Sequence, residues 1–127
     1  GKTTIVNMAI GFFKPRGGEI LIDGVKSSDI DMHSYRQHLA VVPQNTILFS
    51  GTIRDNITYG KTNVSEAKLK AAIKAANLES VIDKLPNGLD TNIGEHGDKL
   101  SGGQRQRISI ARAIETFDTS ASVWVFI

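Results

Sequence analysis

Leu100-Ser101-Gly102-Gly103-Gln104, running on into Arg105-Gln106-Arg107, decides how the rest of this sequence is read. Two adjacent glycines at the opening of a helix leave backbone N–H donors uncovered by side chains, and a serine hydroxyl stands beside them. Such an opening is built to receive an anion. The plainer reading is a serine-capped helix with a flexible lead-in, and on physics alone both stay open. The string itself says more. With glycine near 7% of average usage, these five residues in order arise by chance in roughly one chain of this length in several thousand.

Outward from this stretch, apolar spacing alternates between helical and strand-like periods, which predicts an α/β arrangement. The same string leads a helix from about Gly103 to Ile114. Upstream, Ser65 caps a helix with Leu69, Ala72, Ile73 and Ala76 on one face, and Leu78 to Leu85 offers a second, ended by Pro86-Asn87-Gly88. Leu39-Ala40-Val41-Val42 before Pro43 reads as a strand buried on both faces. Further back, Glu19 to Ile22 reads as a short strand stopped by Asp23-Gly24, with a brief helix around Ser34 to His38. Thr3 to about Ile10 suits a helix stopped by Gly11.

The 127 residues bound the answer to one small domain at most, with 40% hydrophobic and 22% charged residues, an ordinary globular composition. A net charge of +2 is too weak to argue for nucleic acid or an anionic membrane. Cysteine is absent, which excludes disulfides, thiolate metal sites and cysteine nucleophiles. No apolar run approaches the roughly 20 residues of a membrane helix, so the chain reads as soluble as written. Its opening at Gly1-Lys2 and its apolar close at Val123–Ile127 read as cut ends of a longer protein. His33, His38 and His96 have no metal-ligand spacing, Asp29 and Asp31 read as solvated turn residues, and Trp124 reads as core.

Gly1-Lys2-Thr3-Thr4 ahead of an apolar helix matches the end of a phosphate-binding loop, G-x-x-x-x-G-K-[ST]. With the string at Leu100 to Gln104, it gives the sequence its resemblance to the ATP-binding cassette (ABC) ATPases. Leu100 to Gln104 is similar to the ABC signature, Gly1 to Thr4 to the end of the Walker A loop, and Val41-Val42-Pro43-Gln44 to the Q-loop. Lys2, Gln44 and Ser101 stand 42 and 57 residues apart in succession, separations that suit the family. Leu48 to Ile57 resembles the stretch after the Q-loop in exporter-type cassettes. Asn92-Ile93-Gly94-Glu95-His96-Gly97 resembles the exporter X-loop, with His96 where arginine is common. Arginine keeps its charge at any pH and histidine does not, so a fixed charge is lost at this position.

The resemblance implies a partial P-loop NTPase (RecA-like) ABC core plus the ABC α-helical subdomain, truncated at both ends. Residues 1–64 would be the RecA-like part, 65–114 the helical subdomain and 115–127 a divergent tail. ATP and Mg²⁺ are the implied ligands. Gly1 would sit in the phosphate loop, Lys2 on the β- and γ-phosphates, and Thr4 at the α-phosphate. Thr3 and Gln44 would hold Mg²⁺. Leu100, Ser101, Gly102, Gly103 and Gln104 would act in trans on ATP held by a second, head-to-tail cassette. Gly94, Glu95, His96 and Gly97 would contact transmembrane domains, with the cassette on the cytoplasmic face of a membrane. Arg105, Arg107 and Arg112 imply no nucleic-acid partner, because they lie on a cassette helix in a chain of small net charge.

The resemblance breaks after Ala111-Arg112-Ala113-Ile114. The family continues to a strand ending in Asp-Glu, where the Asp orders Mg²⁺ and the Glu is the general base. No Asp-Glu pair occurs in this sequence, and Asp118 lacks the strand-end setting. Val123–Ile127 is either that strand, displaced, or part of a foreign tail. The parent is expected to be an exporter ATPase, and the 127 residues alone to be inactive. The alternatives are a non-catalytic cassette remnant and part of a soluble ABC ATPase.

Overall fold

The computed structural model describes residues 1–59, 61–116 and 123–126, the last four by backbone only. The expectations for Asp118, the side chain of Trp124 and Ile127 lie outside the described residues. Packing divides the chain into two compact units, one built from Gly1–Val41 with residues 123–126, the other from Val42 onward.

In the first unit, α1 (Lys2–Ala9) runs to Gly11, whose φ of +78° turns the chain away and whose α-carbon faces the Met32 methyl too closely for a side chain. Asp23 and Gly24, both at positive φ, make the tight turn between β1 (Leu21–Ile22) and β2 (Val25–Lys26). This is the turn whose twist suits a two-residue hairpin, so the chain doubles back where the sequence reading only stopped a strand. The strands pair antiparallel, Leu21 opposite Lys26 and Ile22 opposite Val25. Next, α2 (Met32–Gln37) is capped by the Asp31 carboxylate, which accepts from the His33 and Ser34 amides. From α2, the Tyr35 hydroxyl donates to the Ala9 carbonyl at 3.1 Å, and Arg36 donates to those of Ile10 and Gly11 at 3.2 and 2.7 Å. These bonds satisfy carbonyls that the end of α1 leaves free. β3 (Leu39–Val42) buries Leu39, Ala40 and Val42, whereas Val41 is 40% exposed and departs from the expected burial on both faces. Its neighbour in the sheet is β4 (Val123–Phe126), introduced here ahead of the helices of the other unit.

The second unit holds the larger core. Thr52 and Asp55 form a reciprocal capping box that starts α3 (Ile53–Thr58). Ser65 starts α4 (Glu66–Ala75) by accepting from the Lys68 amide at 3.2 Å, and α5 (Glu79–Ile82) follows. Both α3 and α4 pack on α6 (Gly102–Thr116). Ile53, Ile57, Leu69, Leu78, Ile93, Ile108 and Ala111, with Leu48, make one buried cluster. Each fully buried Leu or Ile contributes about 1.5–3 kcal/mol relative to exposure. Packing therefore groups residues 42–64 with the helical block.

Candidate functional site

Gly1, Lys2, Thr3 and Thr4 are all exposed at the start of α1. Gly1 supplies the first helical carbonyl, to the Ile5 amide at 3.1 Å, and no side chain caps the helix. The amides of Lys2, Thr3 and Thr4 precede that first bond and so have no acceptor within the helix. Nothing lies within 4 Å of the position a Cβ on Gly1 would take. These donors, the Lys2 ammonium and two hydroxyls suit a phosphate chain.

Gln44 is exposed just past Pro43 and belongs to the second unit, whereas Gly1 to Thr4 belong to the first. The two expected Mg²⁺ ligands, Thr3 and Gln44, thus fall in separate compact units. Their donors, a hydroxyl and an amide oxygen, are the hard oxygens Mg²⁺ prefers, so the donor chemistry fits. Among the described residues no cluster of three His, Asp or Glu side chains offers another metal site.

At the other string, Leu100 is buried and anchors the approach to α6. The Gln104 amide donates to Ser101 Oγ at 3.1 Å while the Ser101 amide donates to Gln104 Oε1 at 3.0 Å. This is a capping box, and its Ser-x-x-Gln spacing was a signal already present in the sequence. It leaves the Gly102 and Gly103 amides without an intrahelical acceptor. Both glycines are exposed, and a Cβ on Gly103 would meet nothing within 4 Å. No internal packing therefore requires glycine at 103.

The loop before it owes its shape to left-handed residues. Gly94, His96 and Gly97 have φ of 79°, 52° and 75°. A Cβ on Gly94 would collide with the Asp98 carboxylate, and one on Gly97 would lie 2.9 Å from Leu48 Cδ1. His96 Nδ1 is 3.2 Å from the Leu48 carbonyl oxygen, while Glu95 stays exposed. The Ile53 amide donates to the Thr91 carbonyl at 3.2 Å and the Ile93 amide to that of Gly51 at 2.9 Å. The stretch after Gln44 and the loop at Gly94–Gly97 are consequently one connected ledge.

Sequence reasoning gave the arginines of α6 no structural role, yet two of them bind the ledge to the helix. Arg105 donates to the carbonyls of Leu100 and Gly97 at 2.8 and 3.4 Å. Arg112 donates to the carbonyls of Asn56 and Ile47 and to the Asn56 side chain, and lies over the Phe49 and Tyr59 rings at 5.3 and 5.5 Å. Burial lowers the Arg112 pKa from its ordinary value, with the Tyr59 hydroxyl opposing the shift. Glu115, the last acidic residue of α6, is 1% exposed and paired with Lys61 Nζ at 3.3 Å.

The chain is also similar to known proteins. A match to the family described as ABC transporter covers residues 1–118. The ATP-dependent lipid A-core flippase of Desulfotalea psychrophila is 52% identical over 114 residues, covering 90% of this chain and 20% of that protein. That of Burkholderia orbicola is 51% identical over 114 residues, covering 90% and 19%. ABC transporter B family member 21 of Arabidopsis thaliana is 45% identical over 114 residues, covering 90% of this chain and 9% of that one. The solved structure of a bacterial Atm1-family ABC exporter with ATP bound superposes with a TM-score of 0.82 at 41% identity, over 99% of this chain and 22% of that one. The chain spans about a fifth of the length of the flippases it matches. On its motifs, its fold and these likenesses, the chain belongs to the ABC transporter family.

Proposed function

We propose that this chain is part of the nucleotide-binding domain of an exporter-type ABC transporter, in which ATP binding and hydrolysis drive export across a membrane. The observation that carries the reading is the start of α6, where a Ser101–Gln104 capping box leaves the Gly102 and Gly103 amides free and Gly103 faces open space. Lys2 binds the β- and γ-phosphates, Thr4 the α-phosphate, and Gly1 lets the loop approach them. Thr3 and Gln44 hold Mg²⁺, which neutralises phosphate charge when bound. Leu100 to Gln104 close in trans on ATP held by a second cassette, head to tail. Gly94, Glu95, His96 and Gly97 face the transmembrane domains on the cytoplasmic side, and the ledge they share with Leu48 carries their displacement to α6. Residues 1–64 belong to the nucleotide-binding core, 65–114 to the helical subdomain and 115–127 to a divergent tail. Among the described residues no helix is long and apolar enough to cross a membrane, so the spanning helices belong to other segments or subunits.

The exporter and flippase relatives favour this over a soluble ATPase. The second reading is a non-catalytic cassette. ATP hydrolysis by the full-length parent in liposomes tests both. Turnover abolished by Lys2→Ala and by Ser101→Ala supports the ATPase. Nucleotide binding without turnover in the unaltered parent supports the non-catalytic cassette. Neither binding nor turnover refutes both.

A further inference from the structure

The first unit holds a cavity of about 310 Å³, walled by α1, the loop that follows it, the end of the hairpin and the start of α2. That volume falls in the range of small-molecule pockets, about 300–1,000 Å³. Its apolar wall is Met8, Phe13, Pro15, Ile20 and Met32, and Met8 and Met32 are the only methionines of the sequence. Gly11 and Gly18 also line it and put no side chain into the space.

The walls are tied to one another. Tyr35 and Arg36 hold α2 to the end of α1 through the carbonyls of Ala9, Ile10 and Gly11. The Ser27 amide donates to the Ile20 carbonyl at 2.8 Å, and Lys26 pairs with Glu19 at 2.6 Å. A frame fixed in this way needs little reordering when a ligand enters.

The lining also selects for charge and for shape. Lys14, Glu19 and Lys26 are its charged residues. Lys26 takes up Glu19, whereas Lys14 belongs to none of the ion pairs among the described residues. One cation is therefore left over beside an apolar wall. Thioethers are polarizable and contact aromatic rings favourably, and the Phe13 ring offers a face or an edge to a second ring. An aliphatic chain would gain burial there but neither of these contacts.

We infer that this cavity binds a small aromatic monoanion of the aryl carboxylate class, with its ring against Met8, Met32 and Phe13 and its carboxylate at Lys14. Met8 lies on the last turn of α1 and Lys2 on the first, so the site is separate from Gly1–Thr4. The inference does not rest on the ATPase reading.

Because both methionines stand in the wall, methyl-labelled methionine gives the 127-residue chain two resonances that read the cavity directly. Titration with 2-naphthoate is expected to move both saturably. The neutral 2-naphthamide and the non-aromatic cyclohexanecarboxylate should each bind about threefold more weakly. Lys14 is exposed, so Lys14→Gln should fold normally, weaken 2-naphthoate about threefold and leave 2-naphthamide unchanged. Lys70→Gln, at an exposed cation of the other unit, should change neither. Unaltered 2-naphthoate affinity in Lys14→Gln, or an equal loss in Lys70→Gln, overturns the anion assignment. Cyclohexanecarboxylate binding as tightly as 2-naphthoate overturns the aromatic one. Competition by MgATP places the anion at the phosphate loop and overturns the site, as does the absence of any saturable movement. Saturation-transfer measurements repeat the titration on the full-length parent. Binding by the chain but not by the parent means that other segments of the parent fill the cavity, and it overturns the site as well.

Discussion

Arg112 reaches across 56 residues of sequence to Asn56, donating from Nε to its main-chain oxygen at 2.7 Å and from Nη2 to its side-chain oxygen at 3.0 Å. Asn56 is 1% exposed, and its amide nitrogen donates to the carbonyls of Phe49 and Thr52 while its side-chain oxygen also accepts from the Phe49 amide. Every polar atom of that side chain is occupied. Asn56→Asp replaces two donors with acceptors facing carbonyls and is expected to cost about 2–4 kcal/mol. Arg112→Ala is expected to cost about 2–3 kcal/mol, and Arg112→Lys less, since it keeps the charge without the fork. Urea unfolding of the three variants measures this, and near-neutral values would remove the clamp from the account.

A second expectation concerns pH. Hydrogen bonds from the Thr52 backbone and then its hydroxyl hold the Asp55 pKa below 3.8 in the folded chain. A lowered folded-state pKa adds stability above the unfolded value and loses it as pH falls through the folded one. Asp55→Asn should therefore destabilise at pH 7, by about 0.5–1 kcal/mol for this exposed cap. The difference should shrink as pH drops below 3.8. Paired denaturation curves at neutral and acid pH check the sign.

Two glycine substitutions should move in opposite directions. Gly97→Ala meets both a φ of 75° and Leu48 Cδ1 at 2.9 Å, and is expected to destabilise by about 1–3 kcal/mol. Gly103→Ala enters open space inside a helix and is expected to stabilise by about 0.5–1 kcal/mol. In the parent transporter the same Gly103→Ala should slow ATP turnover by at least about tenfold, because the methyl group enters the opening that the proposed in-trans contact uses. A thermal melt that rises while turnover falls is the diagnostic pair.

The 127 residues by themselves should release no phosphate from MgATP above the uncatalysed background. The Asp-Glu pair the family uses as metal orienter and base is missing from this sequence. A phosphate-release assay with Lys61→Ala as a companion checks whether freeing Glu115 changes that; sustained turnover in either would contradict the expectation.

Long or strongly marked elements were legible in the sequence. Ser65 and the spacing of Leu69, Ala72 and Ile73 placed α4 within a residue, and the glycine pair placed the start of α6. α3 was not read, because six residues give no helical period, although Thr52-x-x-Asp55 carried its capping signal. Asp23-Gly24 reads in the sequence as a stop and not a hairpin turn because a strand of two residues shows no alternation. Of the site, the residue types were visible but not their attachments. Arg105 and Arg112 bind carbonyls, and a carbonyl belongs to every residue, so no pattern of side chains announces its partner. His96 at a φ of 52° was equally hidden, since a left-handed histidine looks like any other in a sequence.

The hairpin of two residues per strand has a consequence for how this chain behaves in a tube. Its outer main-chain groups have no third strand to bond among the described residues, and Leu21 and Val25 beside them are 59% and 48% exposed. An open, apolar strand edge is a template for any other extended chain. Concentrated solutions should therefore scatter light through molecules joined at this edge, and a lysine at position 21 or 25 should keep them clear.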